Sequence, residues 1–178
     1  YTCPEADTYY QYMGGTASTA FPTGNINMTT TPNGYLSDYL QWGTLLAQAM
    51  QQECDVYISA QALMDTTTRQ AEITTTAYAD SEKEYQLLIW LTEDSIVGAQ
   101  AMPDGSVNTH YYHQHVLRAA SENTWGANWL LNTTPTQRTY TLLIPNQCKI
   151  ENCHIITLLL NKETKEILNA TKTRLTPK

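Results

Sequence analysis

The chain has 178 residues, of which 42% are hydrophobic and only 15% charged, and its formal net charge is -7. That length allows one good-sized domain, or one domain and a smaller piece, with a core that needs no metal to hold it. The acidic balance excludes a general nucleic-acid surface, because a polyanion is repelled by most of it, and no apolar run approaches the roughly 18 residues of a membrane-spanning helix.

No Lys or Arg precedes Arg69, and six of the ten basic residues fall in the last thirty positions. They are spaced rather than clustered, which reads as solubilising charge on edge strands. The sequence opens on Tyr1 with no signal peptide. It therefore reads as a mature form or a fragment, with a lipid anchor or a further domain expected upstream.

Residues 1–35 are punctuated by Gly14-Gly15, Pro22, Gly24, Pro32 and Asn33-Gly34, and read as irregular. A helix is predicted next, with Ser37 as N-cap, Tyr39, Trp42, Leu46, Ala49 and Met50 on one face, and an end near Glu53. From Cys54 the period changes to two. Alternation runs through 56–62, 71–77, 85–91, 138–144 and 154–160, with shorter candidates at 96–101, 111–117 and 167–173. Seven or eight short strands separated by turns such as Asp80-Ser81-Glu82 and Pro103-Asp104-Gly105 predict an antiparallel β-sandwich. The fold class is α+β and mostly β.

The cysteines number four, Cys3, Cys54, Cys148 and Cys153, an even count that fits two bridges in an oxidising compartment. Cys148 and Cys153 follow the Pro145-Asn146 turn between two strands, so a bridge there staples a short loop. A pairing of Cys3 with Cys54 stays open. A zinc site on Cys148, Cys153 and His154 lacks the second ligand pair that structural zinc requires.

His110-Tyr111-Tyr112-His113-Gln114-His115 is the richest polar cluster. On a strand His113 and His115 share a face, and a metal there would need a third ligand such as Glu93 or Asp94. The plainer expectation is that these histidines hydrogen-bond neighbouring groups and order a loop. Glu93 and Asp94 are adjacent and face opposite ways, which argues for a turn with one carboxylate paired to Arg118 rather than for acid–base work. No nucleophile triad, phosphate loop or Cys-x-x-Cys is present. No cofactor and no metal are expected, and the chain reads as non-catalytic. Tyr9, Tyr10, Tyr12, Trp125 and Trp129 are of the type that anchors interfaces.

Taken together, Leu91-Thr92-Glu93-Asp94-Ser95-Ile96-Val97, Gln100, Tyr112-His113-Gln114-His115-Val116-Leu117-Arg118 and Thr124-Trp125-Gly126 resemble the signature of the twenty-eight-kilodalton outer-membrane lipoprotein family of Bacteroidota. The likeness extends to 164–170 and back to Phe21-Pro22-Thr23-Gly24. It implies a thioredoxin-like half, of which 1–53 is the C-terminal part, followed by an immunoglobulin-like sandwich over 54–178. Phe21-Pro22 would then match the cis-proline segment, and the family's cysteine motif would lie upstream of Tyr1, where redox chemistry is the alternative function. The resemblance also implies an extracytoplasmic location, at the outer membrane or cell surface, and protein partners in the envelope or on a host surface. Nucleic acid is not expected, and the membrane is expected only through an upstream lipid anchor. Glu93, Asp94, Gln100, Arg118 and Gly126 are expected to define the fold, and Tyr112, His113, His115, Trp125 and Trp129 to be available for binding.

Overall fold

A computed structural model describes residues 3–32, 34–121 and 123–178; the turn expected at Asn33 lies outside them. The chain runs α1 (Pro4–Tyr12), β1 (Thr23–Gly24), β2 (Ser37–Asp38), a 3-10 turn (Tyr39–Gln41) and α2 (Trp42–Ala49). Then come β3 (Val56–Asp65), β4 (Gln70–Ala79), β5 (Lys83–Glu93), β6 (Ile96–Ala101), β7 (Val107–His113) and β8 (Val116–Ala120). The last four strands are β9 (Ala127–Leu131), β10 (Thr136–Leu143), β11 (Cys153–Asn161) and β12 (Ile167–Pro177). The protein is mostly β, as the alternating periods predict.

The main strands follow one another in the order β10-β4-β3-β12-β11-β5-β8, with β9 also on β5. β12 joins two layers. Its first part pairs antiparallel with β11, and its end, Leu175 to Pro177, pairs parallel with β3. One layer is thus β10-β4-β3 and the other β12-β11-β5 with β8 and β9. The parallel register at the β12 end is a departure from the all-antiparallel expectation.

Strict alternation in β4 buries Ala71, Ile73, Ala77 and Ala79 against the facing layer. β5 and β11 are apolar on both faces because both faces are covered. Leu87, Ile89, Leu91, Ile155 and Leu159 enter the core between the layers. Leu88, Leu158 and Leu160 face outward, where Tyr9 of α1 and Met28 lie over them. Burying a side chain of this size contributes roughly 1.5–3 kcal/mol, so the N-terminal segment is part of the stability of the layer it covers. Tyr9 Oη donates to Thr124 O at 2.6 Å and accepts from Trp90 Nε1 at 3.2 Å. Ile167 N donates to Asn27 O at 2.8 Å.

Three expectations change. α1 falls within the stretch read as irregular; Pro4 in its first turn, with Glu5 and Asp7 beside it, is the signal that marks it. The second helix starts later than predicted. Ser37 sits in a strand against Gly24, Asp38 accepts from Leu40 N, and regular α geometry begins at Trp42. None of the α2 residues is buried, and Leu46 and Met50 point to solvent, so its apolar stripe is not a core face. The third change is a break in the strand expected over 111–117, where β7 ends at His113 and β8 begins at Val116. The Phe21–Pro22 peptide is cis, as the resemblance implies.

Candidate functional site

The polar motif residues gather where β5, β8 and β11 end. Glu93 is the last residue of β5 and pairs in register with Cys153 and Val116. Its side chain turns inward and is only 4% exposed, a burial that an ion tolerates only with partners. Arg118 Nε lies 3.5 Å from its Oε2, and Lys149 N donates to its Oε1 at 2.8 Å. Asp94 faces the other way and holds a second cluster. Its carboxylate accepts from His115 N at 2.7 Å, meets His115 Nδ1 at 2.9 Å, and lies 3.5 Å from His154 Nδ1 and 3.7 Å from Lys172 Nζ. Burial works against the Asp94 charge, but the His115 amide and the cationic neighbours outweigh it and hold the carboxyl below its usual range. Burial and the nearby Lys172 push the His154 imidazole down.

The adjacent carboxylates therefore serve two separate networks, and neither shares a reacting atom with the other. His113 and His115 do not share a face, because His115 takes a positive φ of 56° in the β7–β8 turn and the two-residue period stops there. His113 lies edge-on to Tyr111, with ring centroids 5.0 Å apart, while His115 belongs to Asp94. Among the described residues no three His, Cys, Asp or Glu side chains are placed to hold a metal.

All four cysteines are free thiols in this structure, so it holds neither the expected 148–153 bridge nor the Cys3–Cys54 pairing that the sequence leaves open. Cys3 and Cys54 have different neighbours. Cys3 Sγ donates to Glu5 at 3.0 Å, and Cys54 Sγ donates to Val56 O at 3.0 Å. Cys148 and Cys153 are both buried beside the Glu93–Arg118 pair, and Cys153 Sγ donates to Lys149 O at 3.3 Å. Burial, the Cys148 thiol and Glu93 push the Cys153 thiol up to about 12. Burial also raises the Cys148 thiol, although Arg118 opposes the rise. His154 points to Asp94 and does not join them.

The remaining motif residues are placed elsewhere. Trp125 packs on Tyr9 and Tyr12, with ring centroids 5.3 and 4.7 Å away. Gly126 has φ +74° and sits so close to β5 that a Cβ would lie 1.9 Å from Leu87 O. Trp129 is buried in the core beneath the Arg138 guanidinium, so it presents no binding surface. Tyr112 is 61% exposed.

Gln100 belongs to the β6–β7 hairpin and donates to Ala101 O at 2.9 Å. It lines a cleft of about 1040 Å3 between that hairpin and the Phe21-Pro22 segment, closed by Tyr39, Met102, Pro103 and Tyr111. Among the described residues no charged side chain lines this cleft. Phe21 is 75% exposed and Tyr39 52%, whereas Val97 and Tyr112, paired in register, project from the hairpin face opposite to Tyr111. The cleft joins residues ninety positions apart, which no local pattern in the sequence announces.

These features describe a mostly β module, covered on one layer by its own N-terminal segment. A family model described as outer membrane protein Omp28 matches residues 6–178, and the chain belongs to that family. Membership places it at the outer membrane. Among solved structures, the chain is similar to a domain of the outer membrane lipoprotein Omp28 from Porphyromonas gingivalis, at 19% identity and a TM-score of 0.48, over 71% of this chain and 93% of that one. It is also similar to the sporulation control protein Spo0M from Bacillus subtilis, at 9% identity and a TM-score of 0.43, over 70% and 49%. A third similarity, to Bacteroides uniformis beta-glucuronidase 2, spans 66% of this chain and 12% of that one, at 16% identity and a TM-score of 0.29. No curated protein matches the chain.

Proposed function

We propose that this is a non-catalytic outer-membrane protein that binds other proteins of the envelope or of a host surface, through the cleft between the β6–β7 hairpin and the Phe21–Tyr39 segment. The observation that carries this reading is the gathering of exposed aromatic and aliphatic side chains around one uncharged cleft. Apolar surface of that kind, rimmed by polar residues, marks interaction sites. The titratable clusters support the same conclusion, since Glu93 and Asp94 are each consumed by structural partners.

The architecture we assign is an immunoglobulin-like sandwich over 54–178. Its support is the strand order β10-β4-β3 in one layer and β12-β11-β5-β8 in the other, the arrangement of such folds with a fourth strand added to one sheet. Residues 1–53 we assign to the end of a thioredoxin-like unit, on the strength of the resemblance and of an exposed α2 stripe that suits a neighbouring domain.

The test is site-specific photo-cross-linking on cells. A cross-linker at Tyr111 should capture discrete protein partners, and Phe21→Ser with Tyr39→Ser should abolish the capture. A cross-linker at Thr74, on the surface of the opposite layer, should capture none of them. Equal capture from both positions, or none from Tyr111, rejects the cleft as the binding surface.

A further inference from the structure

The two layers part along one side of the sandwich. β10 ends its layer and pairs with β4 alone, and β8 ends the other and pairs with β5 alone. Between them runs a groove of about 390 Å3. Thr139 to Leu142 form one wall, Ser121 and Ala127 stand opposite, and the floor is Ile73, Leu87 and Ile89 of the core. The narrow end is pinned where the chain crosses from β9 to β10. There Arg138 Nη1 donates to Asn128 O at 2.6 Å, and the guanidinium lies 5.1 Å over the Trp129 ring.

An edge strand normally carries protection against pairing: a lysine, a proline, a bulge or short length. β10 has eight residues in unbroken register with β4, contains no Lys or Pro, and turns its one charge, Arg138, across the groove. Among the described residues no further strand pairs with its outer edge, which runs beside an apolar floor.

We propose that the β10 edge accepts an extended, uncharged segment of a partner polypeptide, which adds as a strand and sets alternate side chains into the groove. The edge itself selects this occupant. A row of alternating donors and acceptors is satisfied by another extended backbone and not by a sugar or a helix. The floor favours aliphatic side chains at every second position. The stretch from Thr139 to Leu143 accommodates about five residues, roughly 16 Å of strand. This surface is separate from the aromatic cleft and does not depend on it.

The probe is a synthetic peptide of alternating Val and Thr, titrated into the full chain while amide hydrogen exchange is followed by NMR. The expected result is slowed exchange across Thr139–Leu142 with no change in β7. A peptide N-methylated at alternate residues should bind roughly tenfold more weakly or worse, the scale of one or two lost net hydrogen bonds. Leu143→Lys, at an exposed rim position, should weaken binding without moving the unfolding midpoint. Unchanged exchange in β10 at millimolar peptide, equal binding of the methylated peptide, or protection of β7 in place of β10 each overturns the proposal.

Discussion

Arg118 on β8 and Glu93 at the end of β5 form an ion pair, Nε to Oε2 3.5 Å, with side chains 10% and 4% exposed. Removing one member of a buried pair strands the other, whereas replacing both with neutral groups of similar shape does not. Arg118→Met should therefore destabilise the protein by about 3–5 kcal/mol. The double variant Arg118→Met with Glu93→Gln should regain much of that loss. Urea unfolding of the two variants checks it; a double variant no more stable than Arg118→Met would mean the pair is not what the single change disrupts.

Gly126 offers a sharper test of packing. Its φ of +74° disfavours any side chain, and its Cα faces the β5 backbone at Leu87 and Leu88 with no room for a methyl group. Gly126→Ala should cost at least ~3 kcal/mol, because a backbone clash at a strained φ has no flexible side chain to absorb it. The comparison is Gly105→Ala, at φ +83° with open space around it. Only the strain contributes there, so its loss in a thermal melt should be clearly smaller.

The strands were legible because their periods are clean. The split roles of Glu93 and Asp94 were legible for the same reason, since neighbours on a strand project to opposite faces. β9 was not, because Ala127 to Leu131 carries no clear alternation and takes its place from pairing with β5. His113 and His115 were misplaced by the same rule that succeeded elsewhere. A non-glycine residue in the left-handed region, such as His115, leaves no mark in the sequence. The aromatic cleft depends on long-range docking of the hairpin beside the Phe21 segment, and the exposure of α2 depends on what does not cover it. Neither property is local.

Cys148 and Cys153 flank one short loop beside the Glu93–Arg118 pair, yet both thiols are buried and hard to ionise. Oxidation to a bridge is therefore expected to be slow in the folded protein and efficient during folding in an oxidising compartment. Protein refolded with a disulfide oxidant should lose two hydrogens in mass and show the 148–153 peptide link under non-reducing conditions. The bridge should add roughly 2 kcal/mol for so short a loop. Cys54, exposed, should still accept a thiol label. Labelling of Cys148 and Cys153 in the denatured, non-reduced product would rule the bridge out.

Acid sensitivity should centre on Asp94 and arrive in two windows. His154, held below its ordinary value by burial, Lys172 and Arg174, binds a proton more readily when unfolded. Its contribution therefore begins to erode stability as the pH falls below about 6.5. Asp94, whose carboxyl is held low, contributes stability above the unfolded carboxylate value of about 3.9, and this is lost only as the pH falls through its lower folded value. His154→Gln should flatten the upper part of the pH–stability curve and leave the lower part. Asp94→Asn should be less stable than the parent at neutral pH, with the difference shrinking below about pH 4. The His115 turn should loosen in the same variant, because its amide loses the carboxylate that receives it. Denaturant midpoints measured from pH 3 to pH 8 separate the two groups. An Asp94→Asn curve parallel to the parent across the acid limb would show that the carboxylate is not the group that titrates there.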